Sequence, residues 1–267
     1  MLTRRVVVCL DVQGDRVVKG VRFEALRDVG DPVRLAERYE REGADEIVFL
    51  DISASAEERA TLLDLARRAA ERLFVPLTIG GGVRELADVV RACRAGADKV
   101  GINTAAVRRP ELLTEAADRF GSQCVVASID AKSRAPSAGR APSAEGRGPL
   151  SWEVYVQGGR TATTLDAVEW ARECVRRGAG EILLTSIDRD GARSGYDLEL
   201  TRAVARAVDV PVIASGGAGS AEHVRAALRE GEADAALVAG ILHDGLTTVA
   251  AIKDALAADG LPVRRAA

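Results

Sequence analysis

The sequence predicts a single α/β domain, a (β/α)8 TIM barrel built from two matching halves. Eight apolar segments of strand length alternate with eight amphipathic segments of helical period along the 267 residues. The chain is 47% hydrophobic but only 3% aromatic, so its core is expected to be aliphatic, as in parallel strands covered by helices. No shift in composition divides the chain, and residues 1–267 are therefore expected to form one domain.

The two halves repeat the same motifs in the same order, which indicates a duplicated half-barrel. The first half, approximately residues 1–121, has an apolar strand that ends in Asp11 and later the motif IGGGV. The second half, residues 122–267, has the matching strand ending in Asp130 and later the motif ASGGAG. A doubly wound open sheet is the alternative architecture, but it does not explain why the halves match unit for unit.

The predicted elements follow from hydrophobic period and from turn residues. Asp31 before Pro32 is typical of a helix start, and Gly43 is typical of a helix end. The predicted strands are the short apolar runs 6–11, 46–51, 76–79, 98–102, 124–130, 181–186, 211–215 and 235–239. The predicted helices are the segments 32–42, 58–72, 85–95, 110–120, 164–178, 197–207, 220–230 and 247–257.

Two connections are longer than the usual loop between a strand and a helix. Residues 12–31 contain several glycines and basic residues and follow the first strand, so they are predicted to form a lid over the barrel mouth. Residues 131–149 are rich in Ala, Pro, Ser, Gly and Arg, and are predicted to form a mobile loop. Residues 152–160, directly after it, are predicted to form a β-hairpin.

Composition and spacing exclude several classes of function. A net charge of −3 argues against a nucleic-acid surface, and no apolar run reaches the roughly 20 residues of a membrane span. The N-terminus does not resemble a signal peptide, and the four cysteines have no CxxC spacing, so a cytoplasmic protein with reduced thiols is expected. The two histidines, His223 and His243, have no ligand spacing. We therefore predict no metal, no cofactor and no role for either histidine.

Asp11 and Asp130 are the candidate catalytic residues. Each stands at the carboxyl end of a strand, where the active sites of such barrels lie. Strand parity places Asp11 on the face of Arg5 and Cys9, and strands one and five lie across the barrel from each other. Paired carboxylates on one substrate can act as general base and general acid. Capping of the following loop is the alternative role.

Glycine-bearing turns predict two phosphate sites. Backbone N–H groups in such turns bind phosphate without a lysine, which suits an acidic protein. Two symmetric sites suit an elongated substrate with an anionic group at each end. For any single turn, the alternative explanation is that the glycine serves only the backbone geometry of the turn and binds no phosphate. The first site comprises Gly80–Gly82 with Asn103 and Thr104, and the second comprises Asp190, Gly191, Gly216, Gly217, Ala239 and Gly240.

The motifs CLDV, GADKVGINTAA, SIDAK and SIDRDGARSGYD resemble the cyclase subunit of imidazole glycerol phosphate synthase, along essentially the whole chain. The resemblance implies a (β/α)8 barrel of histidine biosynthesis. The reaction it implies joins ammonia to a phosphoribulosyl-formimino aminoimidazole carboxamide ribotide. The products are imidazole glycerol phosphate and aminoimidazole carboxamide ribotide. It implies Asp11 as base, Asp130 as acid, the loop lysine Lys19, and phosphate contacts at Gly82, Asn103, Thr104, Asp190, Gly191, Gly217, Ala239 and Gly240.

The chain departs from this family at two positions near the site. The order Gly14-Asp15 reverses the order Asp-Gly that is common in the family, and Gly240 stands where serine is frequent. The sister isomerase of the same pathway is the nearest alternative, and a non-catalytic phosphate-binding barrel is a second. Cys9 before the aspartate, Lys19 and Asn103 argue against the isomerase, and the presence of both aspartates argues against a binding module.

Charged residues at the amino ends of four strands are predicted to form a ring facing into the barrel bottom. The resemblance implies that this ring guards the entry of ammonia from a glutaminase partner docked on the N-terminal face. Asp98 and Gln123, which lie next to strands four and five at that face, are the predicted rim contacts. Ordinary bottom-face charge that stabilises the barrel is the alternative. The four residues are Arg5, Glu46, Lys99 and Glu181.

Overall fold

The computed structural model describes residues 3–21, 24–52, 56–134 and 150–265. The strands formed by these residues are β1 (Arg5–Gln13), β2 (Arg16–Val21), β3 (Glu24–Gly30), β4 (Glu46–Asp51), β5 (Leu77–Gly80), β6 (Lys99–Ile102), β7 (Val125–Ser133), β8 (Trp152–Val156), β9 (Thr161–Asp166), β10 (Glu181–Ser186), β11 (Val212–Ser215) and β12 (Ala235–Val238). The helices are α1 (Pro32–Arg41), α2 (Ala56–Ala70), α3 (Leu86–Arg94), α4 (Thr104–Arg108), α5 (Glu111–Phe120), α6 (Ala167–Arg176), α7 (Leu198–Ala205), α8 (Ala221–Arg229), α9 (Gly240–His243) and α10 (Val249–Ala258).

Eight of the strands close into a parallel barrel. Their order is β1, β4, β5, β6, β7, β10, β11 and β12, and β12 pairs with β1. The pairing of β7 with both β6 and β10 joins the two halves. This closed ladder confirms the predicted (β/α)8 barrel and excludes the open sheet. Among the described residues, no helix is long and apolar enough to cross a membrane.

Alternation along the barrel strands separates two apolar layers. Val7, Cys9 and Val48 belong to a small cluster inside the barrel. Their neighbours Val8 and Leu10 belong to the larger cluster between the strands and the helices. Because side chains alternate between the two faces of a strand, Asp11 continues the inner face that Val7 and Cys9 begin. The predicted strand parity is therefore correct.

The expectation that residues 12–31 form a loop is wrong for the described part of this segment, whereas their role as a lid over the mouth stays a prediction. β1 continues to Gln13 and pairs antiparallel with β2, which pairs with β3. Val17 of β2 is fully buried. A β-branched residue that packs against the core favours a strand, which explains why this segment is not a loop. Gly14, with φ of 58°, opens the two-residue turn between β1 and β2, which explains why glycine comes first there. Residues 22–23 lie outside the described part.

The second long connection also differs from its prediction at its start. Residues 131–133 extend β7 and pair antiparallel with β8 instead of forming a loop. The predicted mobile loop otherwise falls on residues 135–149, which lie outside the described residues. The predicted hairpin over residues 152–160 is confirmed for its first strand, β8, and for the turn. Its second strand, β9, lies beyond the predicted range and includes the first three residues of the helix predicted over 164–178. Each half of the barrel therefore carries an antiparallel hairpin attached to its first strand.

An aspartate just before the strand stabilises three of the strand starts. The motif Gly-Ala-Asp occurs before β4 and β6, and Glu-Ala-Asp occurs before β12. In each case the carboxylate accepts a hydrogen bond from the backbone N–H at or next to the start of a neighbouring strand, so the turn also aligns two strands. The pairs are Asp45 with Val6 at 2.8 Å, Asp98 with Leu77 at 2.8 Å, and Asp234 with Val212 at 3.1 Å.

Asp45 is expected to contribute far more stability than Asp98, although both occupy the same kind of turn. Asp45 forms a buried ion pair with Lys253, with the two side chains 7% and 3% exposed. Asp45→Ala would leave the Lys253 ammonium buried without this carboxylate, which typically costs about 3–5 kcal/mol. Chemical denaturation should show a much larger loss for Asp45→Ala than for Asp98→Ala, and partial recovery when Lys253→Met is added. Equal losses would mean that the backbone hydrogen bond dominates.

Candidate active site

The two candidate catalytic aspartates face each other across the barrel mouth. Asp11 lies on β1 and Asp130 on β7, which are four strands apart in either direction around the closed ladder. The Cys9 thiol approaches Oδ1 of Asp11 at 3.7 Å. The Asn103 side-chain amide donates to Oδ2 of Asp130 at 2.9 Å. Each carboxylate is therefore oriented by one neighbour on the inner wall of the barrel.

Burial gives both aspartates a pKa close to neutral pH. Loss of solvent raises the pKa of Asp11 to about 6 and that of Asp130 to about 6, and the negative charge of Asp190 adds to both rises. Burial also raises the pKa of Asp190, although the Gly191 backbone N–H offsets part of that rise. A carboxyl group with a pKa near 6 can both accept and donate a proton near neutral pH. The assignment of Asp11 as base and Asp130 as acid stays a prediction, since the two pKa values are alike.

The first predicted phosphate site has a backbone shape that depends on glycine. Gly81 and Gly82 have φ of 83° and 64°. A Cβ at Gly81 would lie 2.2 Å from the carbonyl oxygen of Asp51, so a larger residue cannot fit without moving the strand. Asn103 has an unusual backbone conformation, with φ of −114° and ψ of −97°, immediately before α4.

The second predicted site repeats this shape in the other half of the chain. Gly216 and Gly217 have φ of 89° and 104°. A Cβ at Gly217 would lie 2.2 Å from the carbonyl oxygen of Gly195. Ala239, immediately before α9, has φ of −137° and ψ of −79°, close to the values at Asn103. The duplication therefore extends to backbone conformations that few residues adopt.

Each hairpin contacts the predicted phosphate site of the opposite half. The Gln157 backbone N–H, in the turn between β8 and β9, donates to the Thr104 hydroxyl at 2.9 Å. Lys19, on β2, donates to the Gly240 carbonyl oxygen at 3.1 Å. The structure thus brings Lys19 to the second site and Thr104 to the first. Since β1 adjoins β12 and β7 adjoins β6, a hairpin that extends from β1 or β7 reaches its neighbour's site.

The Asn103 side chain has a role apart from the backbone phosphate contact that was predicted for this residue. The amide nitrogen is directed to Asp130, so only its backbone is free to contribute to the glycine-lined site. The amide oxygen Oδ1 is buried and has no hydrogen-bond partner among the described residues. A buried acceptor without a partner is uncommon in folded proteins. Asn103 Oδ1 therefore keeps an unused acceptor next to the amide that orients Asp130.

The four predicted charges form a closed ring at the opposite end of the barrel. Arg5 donates to Glu46 at 3.1 Å and also contacts Glu181. Lys99 completes the ring with bonds of 2.7 Å to both glutamates. The glutamates are buried, whereas the two bases are partly exposed. Glu46 and Glu181 begin β4 and β10, which occupy matching places in the two halves.

Comparison with known proteins gives the family of the chain. Residues 5–248 match the family model described as histidine biosynthesis protein. The chain is 71% identical over 264 residues to imidazole glycerol phosphate synthase subunit HisF of Myxococcus xanthus, covering 99% of both chains. It is 56% identical to the subunit HisF of Thermosynechococcus vestitus, covering 92% of that protein, and 56% identical to that of Trichormus variabilis, covering 99%.

The chain belongs to the HisF family. The identity extends over the full length, so the resemblance inferred from the motifs is confirmed. A HisF-family chain is an enzyme of histidine biosynthesis, and its barrel is the catalytic domain.

His243 is a residue at the mouth whose position the sequence analysis missed. Its Nε2 donates to the Cys9 carbonyl oxygen at 3.1 Å, so its Nδ1 accepts from the Tyr39 hydroxyl at 2.8 Å. Burial lowers the pKa of His243 to about 4, which keeps the ring neutral at physiological pH. The ring therefore links α1 and α9 to the strand that carries Asp11. Sequence period could not reveal this, because the contacts span more than 200 positions.

The mouth aspartates should lower stability at neutral pH, and their amide variants should raise it. The pKa of each carboxyl is about 6 in the folded chain against an ordinary 3.8. The free energy of unfolding therefore falls as the pH rises from 3.8 to about 6, by about 1.4 kcal/mol for each unit of pKa difference. The full cost is present above pH 6 and is absent below pH 3.8. Asp11→Asn and Asp130→Asn should raise the melting temperature by a few degrees at pH 8.

The gain should shrink at pH 5, because the wild-type carboxyls are then largely protonated in the folded state. Asp118→Asn, which changes an exposed carboxylate on α5, is the matched control and should leave the melting temperature almost unchanged at both pH values. A gain that is the same at pH 8 and pH 5 would contradict the burial argument.

Proposed function

We propose that Asp11 and Asp130 carry out the proton transfers of the cyclase reaction, and that the two glycine-lined sites hold the two phosphates of its substrate. The chain is the cyclase subunit of imidazole glycerol phosphate synthase in histidine biosynthesis, as its family indicates. The observation that carries the residue assignment is the pair of opposed carboxylates, each with a pKa near 6, between two backbone sites of matching shape.

The geometry suits a substrate with a phosphate at each end. The first site comprises Gly82, Asn103 and Thr104, and the second comprises Asp190, Gly191, Gly217, Ala239 and Gly240. The Asp190 carboxylate itself cannot attract phosphate, because both are negative, so its contribution is assigned to the backbone. Lys19 supplies a positive charge to the second site. A ribotide anchored at both ends would place its central atoms between Asp11 and Asp130.

The reaction needs groups that move protons at more than one atom. When ammonia adds to a carbonyl carbon, the nitrogen must lose a proton and the departing oxygen must gain one. Release of the aminoimidazole product requires a proton on its leaving nitrogen. One ionised and one protonated carboxyl can supply these transfers from opposite walls. Bound phosphates add negative charge, which raises the pKa of both carboxyls further and favours keeping one of them protonated.

Removing either carboxyl should impair turnover much more than binding. Asp11→Asn or Asp130→Asn should lower kcat with ammonium by at least about 10²-fold, the usual contribution of a general acid or base. KM should change little, because the phosphates supply most of the binding energy. The assay is steady-state turnover with ammonium salt, following loss of the ribotide substrate. A kcat near wild type in either variant would remove that residue from the mechanism.

The same assay tests the function against its alternatives. Ammonium-dependent loss of the ribotide distinguishes a cyclase from the sister isomerase, which acts without ammonia, and from a barrel that only binds phosphorylated ligands. Wild-type chain without ammonium-dependent turnover would contradict the proposed chemistry.

A glutaminase subunit is the proposed partner, docked on the N-terminal face of the barrel. The family name describes a subunit of a synthase, which implies a partner. Phe74, in the connection between α2 and β5 on this face, is 94% exposed, as an apolar anchor of an interface would be in the free subunit. Asp98 and Gln123, the predicted rim contacts, are also exposed and lie next to the starts of β6 and β7.

The charged ring is the proposed entry for ammonia from this partner. It closes the end of the barrel that faces the docking surface. Beyond it lie the apolar inner residues Val7, Val48 and Ile213, and then the aspartates. Neutral ammonia passes an apolar interior more readily than ammonium does. Because the four charges are mutually paired, passage requires at least one of the ring's ion pairs to separate.

Opening the ring should uncouple the two reactions without harming the mouth. Lys99→Ala and Arg5→Ala should keep turnover with added ammonium close to wild type. With the glutaminase and glutamine they should hydrolyse more glutamine per product, because ammonia escapes at the damaged entry. Arg94→Ala, an exposed arginine at the end of α3, is the control and should leave the ratio unchanged. Equal losses with both nitrogen sources would mean that the ring only stabilises the barrel.

A further inference from the structure

Three cations converge on one carboxylate beside the second phosphate site. Asp244, directly after α9, accepts charged hydrogen bonds from Lys19, Arg27 and Arg193. Lys19 and Arg193 share its Oδ2, and Arg27 contacts its Oδ1. We call these four residues the Asp244 cluster. Arg27, Arg193 and Asp244 have no part in the site as proposed so far.

The cluster joins three separate parts of the fold. Lys19 and Arg27 lie on β2 and β3, the hairpin attached to β1. Arg193 lies in the connection after β10, three residues after Asp190, with φ of 53°. A non-glycine residue with positive φ is uncommon, and here the chain turns so that the Arg193 side chain meets Asp244. The meeting of three elements at one carboxylate is therefore a built feature of the mouth.

Charge in the cluster does not balance. Among the described residues, the three cations and one carboxylate of the cluster leave a net charge of two positive units. Burial, together with the charges of Arg193 and Arg27, lowers the pKa of Lys19 to about 8. The Asp244 carboxylate therefore neutralises only one of the three positive charges, and the remaining charges repel one another. A phosphate monoester carries about −1.5 to −2 at neutral pH and would compensate this excess.

The cluster also lies directly over the glycine-lined backbone. A Cβ at Gly240 would be 3.3 Å from both Cε and Nζ of Lys19 and 4.0 Å from Nη2 of Arg193. Because Gly240 has no side chain, the cationic groups of Lys19 and Arg193 can approach its backbone closely. The positive charge is adjacent to the backbone that the proposed function assigns to the second phosphate.

We propose that Asp244 stands in for the substrate phosphate in the ligand-free chain, and that Arg193 and Arg27 join Lys19 as ligands of that phosphate when substrate binds. This inference rests on the proposed function for the location of the phosphate. The arginines transfer their hydrogen bonds from the Asp244 carboxylate to the phosphate oxygens, a geometry for which the guanidinium group is suited. Asp244 is then a positioning residue that keeps the hairpin on the second site until substrate arrives.

The test combines turnover with phosphate binding. Arg193→Ala and Arg27→Ala should each raise KM for the ribotide about tenfold or more, as loss of one charge-assisted bond implies, with a smaller change in kcat. In calorimetric titration of these two variants with inorganic phosphate, the affinity of one of the two phosphate sites should fall, while the affinity of the other should be unchanged. Asp244→Asn, which keeps the shape but removes the competing charge, should bind phosphate more tightly at that same site.

Arg206→Ala is the matched control, since Arg206 pairs with Glu232 in an exposed ion pair at the other end of the barrel. It should leave KM and both phosphate sites unchanged, and melting temperatures check that every variant is folded. Unchanged KM and phosphate binding in both arginine variants would reduce the cluster to a surface ion-pair network. Weaker phosphate binding in Asp244→Asn would overturn the stand-in role.

Failure of this inference is distinguishable from failure of the proposed function. If wild-type chain turns over the ribotide with ammonium but the arginine variants match the control, only the inference fails. If wild-type chain shows no turnover, the proposed function fails, and the phosphate titration still reports whether the cluster binds an anion.

Discussion

Closure of the parallel ladder is the constraint on which the rest of the structure depends. Because β7 pairs with both β6 and β10, and β12 returns to β1, every barrel strand directs its carboxyl end to one mouth and its amino end to one floor. Because alternate residues of each strand face inward, the position of a residue along its strand sets its level along the barrel axis. Residues at the strand starts become the charged ring, residues in the middle become an apolar layer, and Asp11 and Asp130 come to face each other. An open sheet with the same strands would not bring them together.

Duplication also explains why neither half contains a complete site. The hairpin attached to β1 reaches the backbone at Gly240, and the hairpin attached to β7 reaches Thr104. Each half therefore supplies one candidate catalytic aspartate, one glycine-lined turn and the hairpin that reaches the other half's turn. Both halves must pack together before either site is assembled, which couples stability of the whole barrel to formation of the mouth.

The sequence was sufficient for the barrel, its strands and the residues that repeat. Period and turn chemistry placed the eight barrel strands and their helices to within a few residues, and the repeat itself singled out Asp11 and Asp130. The prediction from sequence was wrong where a segment with loop-like composition forms an antiparallel hairpin, as with β2 and β3. It also failed where contact joins distant positions, as between His243 and Cys9 or between Asp244 and Lys19. Such contacts are consequences of closure and leave no local pattern.

Side chains make the two backbone sites chemically unequal, although their backbones match. At the first site the hairpin contact joins the Thr104 hydroxyl to a backbone N–H. At the second site the hairpin brings Lys19 and Arg27 to meet Arg193 around Asp244, which leaves excess positive charge. The acid and base roles proposed for Asp11 and Asp130 require such inequality, because a substrate bound in the reverse direction would present the wrong atom to each aspartate. The duplicated fold thus supplies two backbone turns of matching shape, and the different charged side chains around them make the two sides of the mouth unequal.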